Sequence, residues 1–127
     1  MLNEYPNKYK MKNCFFILTL VFLTSCNAKW DKAFLIGDWN TIEWLKIDSG
    51  EKISNTMRFS FQDDDRYTVD YGSQKELGKY WIAGEYLHTV EDGKAEKKVR
   101  ITKLNSDTLV FEMNRAGYLE LVTLLRE

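Results

Sequence analysis

The sequence has little of the raw material that most site chemistries use. Its 127 residues include one histidine and two cysteines, too few for a His cluster, a zinc site or a disulfide framework. One proline and seven glycines exclude collagen-like and Pro-rich linker architectures. Neither sign of charge dominates: 18 Lys+Arg stand against 19 Asp+Glu, a formal net charge of −1. That balance excludes a protein that grips nucleic acid through a concentrated basic surface. No apolar run reaches the ~20 residues that a membrane-crossing helix needs. Aromatic side chains, in contrast, are plentiful at 14%. They mark a packed core rather than disorder, in a chain of one domain's length.

The longest apolar stretch runs from Cys14 to Leu23, the length of the apolar region of a secretory signal. Lys8, Lys10 and Lys12 precede it as a basic flank, and Met11-Lys12-Asn13 by itself makes an ordinary signal start. The stretch closes on Leu23-Thr24-Ser25-Cys26, which resembles the lipobox of bacterial lipoproteins. The resemblance implies a signal peptide over 1–25, a diacylglyceryl group on the Cys26 thiol and cleavage before that residue. Acyl chains at about 0.8 kcal/mol per buried methylene then make a durable membrane anchor. Asn27 stands where an Asp would favour inner-membrane retention in enterobacterial lipoproteins, so the expected address is the cell envelope at the outer membrane. With Cys26 acylated and the leader removed, the remaining chain has no free thiol, and its stability must come from packing.

After a short lipidated tether, 26–33, apolar and polar residues alternate in segments divided by turn chemistry, the period-2 pattern of half-buried strands. Eight are expected. The first covers about Gly37–Ile47 and ends at Asp48-Ser49-Gly50. The second, about Asn55–Gln62, sets Met57, Phe59 and Phe61 on one face. The third is about Arg66–Tyr71 and the fourth about Leu77–Ala83. The fifth, about Glu85–Val90, ends in Glu91-Asp92-Gly93, a strong hairpin signal. The sixth is about Glu96–Leu104, the seventh Thr108–Asn114 and the eighth Tyr118–Arg126, with Leu119, Leu121, Thr123 and Leu125 on one face. Helical spacing is confined to a single turn within Lys29–Leu35. Short connections force sequential antiparallel neighbours. Eight strands so ordered expose two edges unless the first pairs with the last. The expected fold is all-β: an antiparallel up-and-down meander closing into a small barrel over 34–127, with a two-sheet sandwich or open meander as the alternative.

Ile36-Gly37-Asp38-Trp39 at the mouth of the first strand resembles the lipocalin signature. In that family a Trp closes one end of the barrel and an Arg of the last strand packs across it, which makes Trp39 and Arg126 the matching pair. The fourth and fifth strands, Leu77-Gly78-Lys79-Tyr80-Trp81 with Gly84-Glu85-Tyr86-Leu87, are similar to the second hairpin of small lipocalin-like lipoproteins of Bacteroidota-type bacteria. The resemblance spans about Phe34 to Glu127 and implies a barrel that binds a small apolar or amphipathic ligand. Classical lipocalins are longer and carry a capping helix.

An eight-stranded barrel either fills with side chains or holds one small ligand. With the larger-aromatic faces inward, Phe59, Phe61, Tyr67, Tyr71, Tyr80, Tyr86 and Phe111 compete for that space. Each buries on the order of 150–250 Å². They would either fill the barrel or line a pocket in it. His88 has neither a second His nor a thiol to work with. Asp63-Asp64-Asp65 lacks the Gly and terminal Glu of an EF-hand loop and reads as a solvated turn. Glu43 reads as outward. Lys94, Lys97, Lys98, Arg100 and Lys103 read as surface protection of the sixth hairpin rather than an anion site. No nucleophile elbow or phosphate loop is present. The chain is therefore expected to be no enzyme, with no cofactor and no metal, and to work by binding. Two readings stand: ligand binding inside the barrel, or an immunity, inhibitor or envelope-complex protein that binds another protein through its loops or outer face. Trp44 or Trp81 with Tyr118 would anchor the second.

Overall fold

The computed structural model describes residues 28–127. The expected leader, Cys26 and the start of the tether lie outside the described residues. A single helical turn, α1 (Lys32–Leu35), is opened by the Asp31 carboxylate, which accepts the Ala33 N–H at 2.9 Å. Eight strands follow: β1 (Gly37–Lys46), β2 (Arg58–Phe61), β3 (Arg66–Asp70), β4 (Lys75–Ala83), β5 (Tyr86–Glu91), β6 (Glu96–Leu104), β7 (Thr108–Arg115) and β8 (Tyr118–Arg126).

Each strand pairs antiparallel with the next, and β8 returns to β1, so the sheet closes as a barrel. The closing ladder runs from Trp39↔Arg126 to Lys46↔Glu120. Closure removes both free edges, as the short connections predict. Two strands begin elsewhere than expected. β2 starts at Arg58 because the segment before it is fastened to β1 irregularly. Thr41 Oγ1 accepts the Met57 N–H at 3.1 Å and donates to its carbonyl at 2.8 Å, and the Ile53 N–H reaches the Trp44 carbonyl at 2.7 Å. β4 starts two residues early, at Lys75, which brings Glu76 into the strand.

The two ends of the barrel differ. At the end where β1 starts, α1 and the turns after β2, β4 and β6 crowd together. Trp39 is wholly buried there, and its indole N–H donates to the Leu35 carbonyl at 2.8 Å. The Arg126 guanidinium lies 4.3 Å above the Trp39 ring and donates to the carbonyls of Ile36 (2.6 Å), Ser106 (2.6 Å) and Phe34. One side chain of β8 thus ties the segment leading into β1 to the β6–β7 turn, and it closes that end. The Lys29 N–H bonds the Gly84 carbonyl at 2.9 Å, so the described chain enters at the closed end.

Inside, Phe61 meets Tyr80 edge-on at 5.0 Å and stacks with Phe59 at 5.4 Å, while Phe59 takes the Phe111 edge at 5.9 Å. These rings divide the interior into a packed lower half and an upper half that is not filled.

Candidate functional site

Above the Phe59–Phe111 floor the barrel is a cup of about 1100 Å³, open between the turns that follow β1, β3, β5 and β7. Its lower wall is apolar, built from Met57, Val69, Leu87, Val99 and Met113 around the two phenyl rings. The upper wall is polar, and two buried carboxylates organise it.

Glu76 on β4 is 7% exposed. It accepts the hydroxyls of Tyr67 and, at 3.2 Å, Tyr71, and the Lys97 ammonium at 3.0 Å. Burial alone would raise its pKa. The Tyr67 hydroxyl, the Lys97 ammonium and the Tyr71 hydroxyl outweigh that and hold the carboxyl below its ordinary value. The tyrosines respond in the opposite sense. Burial, then the Glu76 charge and hydrogen bond, push Tyr71 up to about 12, and burial followed by the Glu76 hydrogen bond and charge raises Tyr67 further. Both phenols therefore stay protonated, as donors committed to Glu76. Glu120 on β8 is 4% exposed. It accepts the Trp44 indole N–H at 2.8 Å and the Arg115 guanidinium at 3.4 Å, and that guanidinium also sits 5.5 Å over the Trp44 ring.

The seven aromatics expected to compete for the interior separate into three groups. Phe59, Tyr67, Tyr71 and Phe111 line the cup. Phe61 and Tyr80 lie beneath its floor. The Tyr80 hydroxyl donates to the Gln62 carbonyl at 2.5 Å, and its pKa is pushed up to about 12 by burial and by the charges of Asp65, Asp64 and Asp63. Tyr86 is corrected: it points outward, with the Lys98 ammonium 4.6 Å over its ring. It shares the outer face with His88, which stacks on Trp81 at 5.1 Å and bonds Glu96 at 2.7 Å.

Two further readings are corrected, those of Trp44 and Lys97. Trp44 faces the interior, because a bulge between Thr41 and Glu43 inverts the alternation of β1. The expected alternation of β8 holds, with Glu120, Val122 and Leu124 as its interior face and Leu119 and Leu125 exposed on the other. Lys97 is a cup residue rather than outer-surface protection. Asp63–Asp65 form a turn that uses its own acids: Asp64 accepts the Arg66 N–H at 3.1 Å and Asp65 pairs with Lys32. Among the described residues no group of three or more His, Cys, Asp or Glu is placed to hold a metal ion.

A family model described as a lipocalin-like domain matches residues 35–111, from the buried Leu35 through six strands and into the seventh, as far as the cup-floor Phe111. No curated protein and no solved structure shows significant similarity to the chain.

Proposed function

The chain belongs to the lipocalin-like domain family, and on that premise we propose that its cup binds one small apolar or amphipathic molecule. The observation that carries this reading is the unfilled upper half of the barrel. Apolar walls end there in a floor of edge-packed rings, under a rim of polar groups held in fixed positions. Apolar surface facing an open cup gains on the order of 25 cal/mol for each Å² that a ligand covers. A concave apolar site with a few convergent polar groups is the usual form of a small-molecule pocket.

Thr89 lies in the cup wall on β5, partly exposed and beside the Tyr67 hydroxyl, so a larger side chain there occupies space that a ligand would use. The purified protein, titrated with the neutral fluorophore N-phenyl-1-naphthylamine, should show saturable one-to-one binding. Thr89→Trp should weaken it by at least about tenfold, the equivalent of 1.4 kcal/mol. An unsaturable signal, or one indifferent to Thr89→Trp, would refute the cup as the site.

The proposal extends to address. The leader and lipobox-like segment support an envelope lipoprotein anchored through Cys26. The Lys29–Gly84 bond starts the described chain at the closed end. Residue 26 is two residues before residue 28, a reach of no more than about 7 Å. An anchor at Cys26 therefore turns the open mouth away from the bilayer. Cys26→Ser should move the protein from the membrane fraction to the soluble one, and unchanged fractionation would count against anchoring. A second reading, capture of another protein, draws on the stacked Trp81 and His88 with Tyr86 on the outer face.

A further inference from the structure

The outer wall of the barrel is charged on one side and apolar on the other. Outward positions of β4 and β6 carry Lys75, Lys79, Glu96, Lys98 and Arg100. Across the closing seam, those of β1 and β8 carry isoleucine and leucine. Leu45 stands opposite Leu121 in the ladder, and the Ile47 N–H bonds the Leu119 carbonyl at 3.0 Å, so the next two apolar side chains are also neighbours. Ile42 and Leu125 extend the row toward the closed end. Ile42 is 57% exposed, and Ile47, Leu119 and Leu125 are 40%, 43% and 41% exposed. Apolar residues scattered singly over a surface need no explanation, but six on two paired strands make one patch.

The patch has an apolar centre and a charged rim. Arg58 bonds Glu127 at 2.7 Å beside Asp38 at its lower border, Arg100 bonds Glu112 at 3.4 Å on the β7 side, and Lys52 bridges to Leu45 on the other. The one charge set among the apolar side chains is Glu43. A carboxylate at the centre, with both rim guanidiniums already paired, is a poor match for an anionic lipid surface. Homodimer interfaces, in contrast, are the more apolar class and are depleted of charge at their core. The scale also fits. At about 3.3 Å per residue and about 4.8 Å between strands, the wall of β7, β8 and β1 is about 30 Å tall and about 15 Å wide. Covered with projecting side chains, such a wall is on the scale of the ~800 Å² that each partner of a standard interface buries. Its relief is self-complementary. The bulge between Thr41 and Glu43 leaves Ile42 as the extra residue, thrown outward as a knob. On β8 the leucines are interrupted by the shorter Thr123, a notch at the same height, since Thr123 pairs with Glu43.

We infer that this patch is a homodimer interface, in which β1 of each copy packs on β8 of the other about a two-fold axis running along the β1–β8 seam. Ile42 then enters the notch at the partner's Thr123, Leu45 meets the partner's Leu121 and Ile47 the partner's Leu119. The Thr123 hydroxyl is at the height of the other copy's Glu43, which gives that carboxylate a donor within the contact. The same patch serves both copies, so the assembly closes at two and does not propagate. The contact lies on the outer wall and leaves both mouths open. It also keeps both closed ends on one side, the arrangement that two copies anchored in one membrane require. The inference depends on neither the cup nor the anchor.

Sedimentation equilibrium of the purified protein over about 1–200 μM, which brackets a micromolar dissociation constant, should show the mass rising to that of a dimer. Ile42→Glu sets a second acid beside Glu43 in the contact and should weaken association by at least about 100-fold. Its circular dichroism should match wild type, because the side chain is exposed in the single copy. Leu119→Glu should act likewise. Fluorescently labelled Ile42→Glu protein should re-enter a dimer when Thr123→Lys protein is added. The introduced acid and base then face each other across one half of the contact, and the other half keeps its native residues. A monomer at every concentration, a dimer that survives both Glu variants, or labelled protein that stays monomeric in the mixture would each overturn the inference. So would a monomeric wild type that cosediments with phosphatidylglycerol vesicles unless Ile42 and Leu119 are replaced, which would give the patch to lipid.

Discussion

Trp39→Ala should cost the barrel about 3–5 kcal/mol, the range for removing a buried Trp or Phe from a packed core. Small domains have only ~5–15 kcal/mol of stability in all, so the variant should unfold at a much lower urea concentration. The cause is specific to the closed end. The indole is wholly buried, its N–H supplies the Leu35 carbonyl, and its face carries the Arg126 guanidinium. Removing it leaves a cavity, an orphaned carbonyl and a cation without its aromatic support. Trp39→Phe should lose markedly less, since it retains an aromatic face for Arg126 and gives up mainly the indole hydrogen bond. Gly37 belongs to the same device. Its φ is +132°, and a Cβ there would fall 2.3 Å from Arg126 Nη1, so no side chain fits while the arginine holds its three carbonyls. Equal urea midpoints for wild type and Trp39→Ala would show that the closed end does not support the barrel.

Gly78→Ala should be costly for a different reason. A Cβ at Gly78 would lie 2.0 Å from the Val90 carbonyl oxygen and 2.8 Å from the Glu91 Cα. Both are backbone atoms of β5 and cannot swing aside as a flexible side chain does. Overpacking of this kind costs about 1–3 kcal/mol, and a backbone obstacle places Gly78→Ala at the upper end. The β4–β5 pair carries Glu76 on one strand and Thr89 on the other, so separating the strands also deforms the upper wall of the cup. Stability and probe affinity should therefore fall together. A variant within about 0.5 kcal/mol of wild type, the scatter of surface substitutions, would mean that β5 moves freely and that the close approach is not a constraint.

The meander was legible because its signals are local. Asp48-Ser49-Gly50, Asp92-Gly93 and Arg115-Ala116-Gly117 mark turns, and each intervening segment alternates. Trp39 and Arg126 could be paired from the resemblance, and the first and last strands do bring them together. Alternation tells inside from outside but not depth, so Phe61 and Tyr80 could not be separated from Phe59 and Tyr67 before the register was known. It also fails across bulges. Trp39 and Trp44 are five residues apart, which a regular strand puts on opposite faces, yet both are buried because β1 bulges between Thr41 and Glu43. In β8 a usable signal was present: Arg126 shares its face with Glu120, Val122 and Leu124, so the residue expected to reach Trp39 already assigns the run of Leu119, Leu121 and Leu125 outward. The buried carboxylates were the hardest to find. Composition favours acids outside, and only the closed barrel shows that Glu76 meets two phenols and an ammonium while Glu120 meets an indole and a guanidinium.

That the open half of the barrel is the binding site can be tested most directly by mapping amide chemical shifts of the isotope-labelled protein as N-phenyl-1-naphthylamine is added. The largest changes should fall on the cup wall and floor, at Val69, Thr89, Val99, Phe111 and Met113. Leu35, Leu104 and Ser106 at the closed end, and Trp81 and His88 on the outer face, should stay still. Changes centred on Trp81, Tyr86 and His88, or none at saturating probe, would contradict the account and move the search for function to the outer surface.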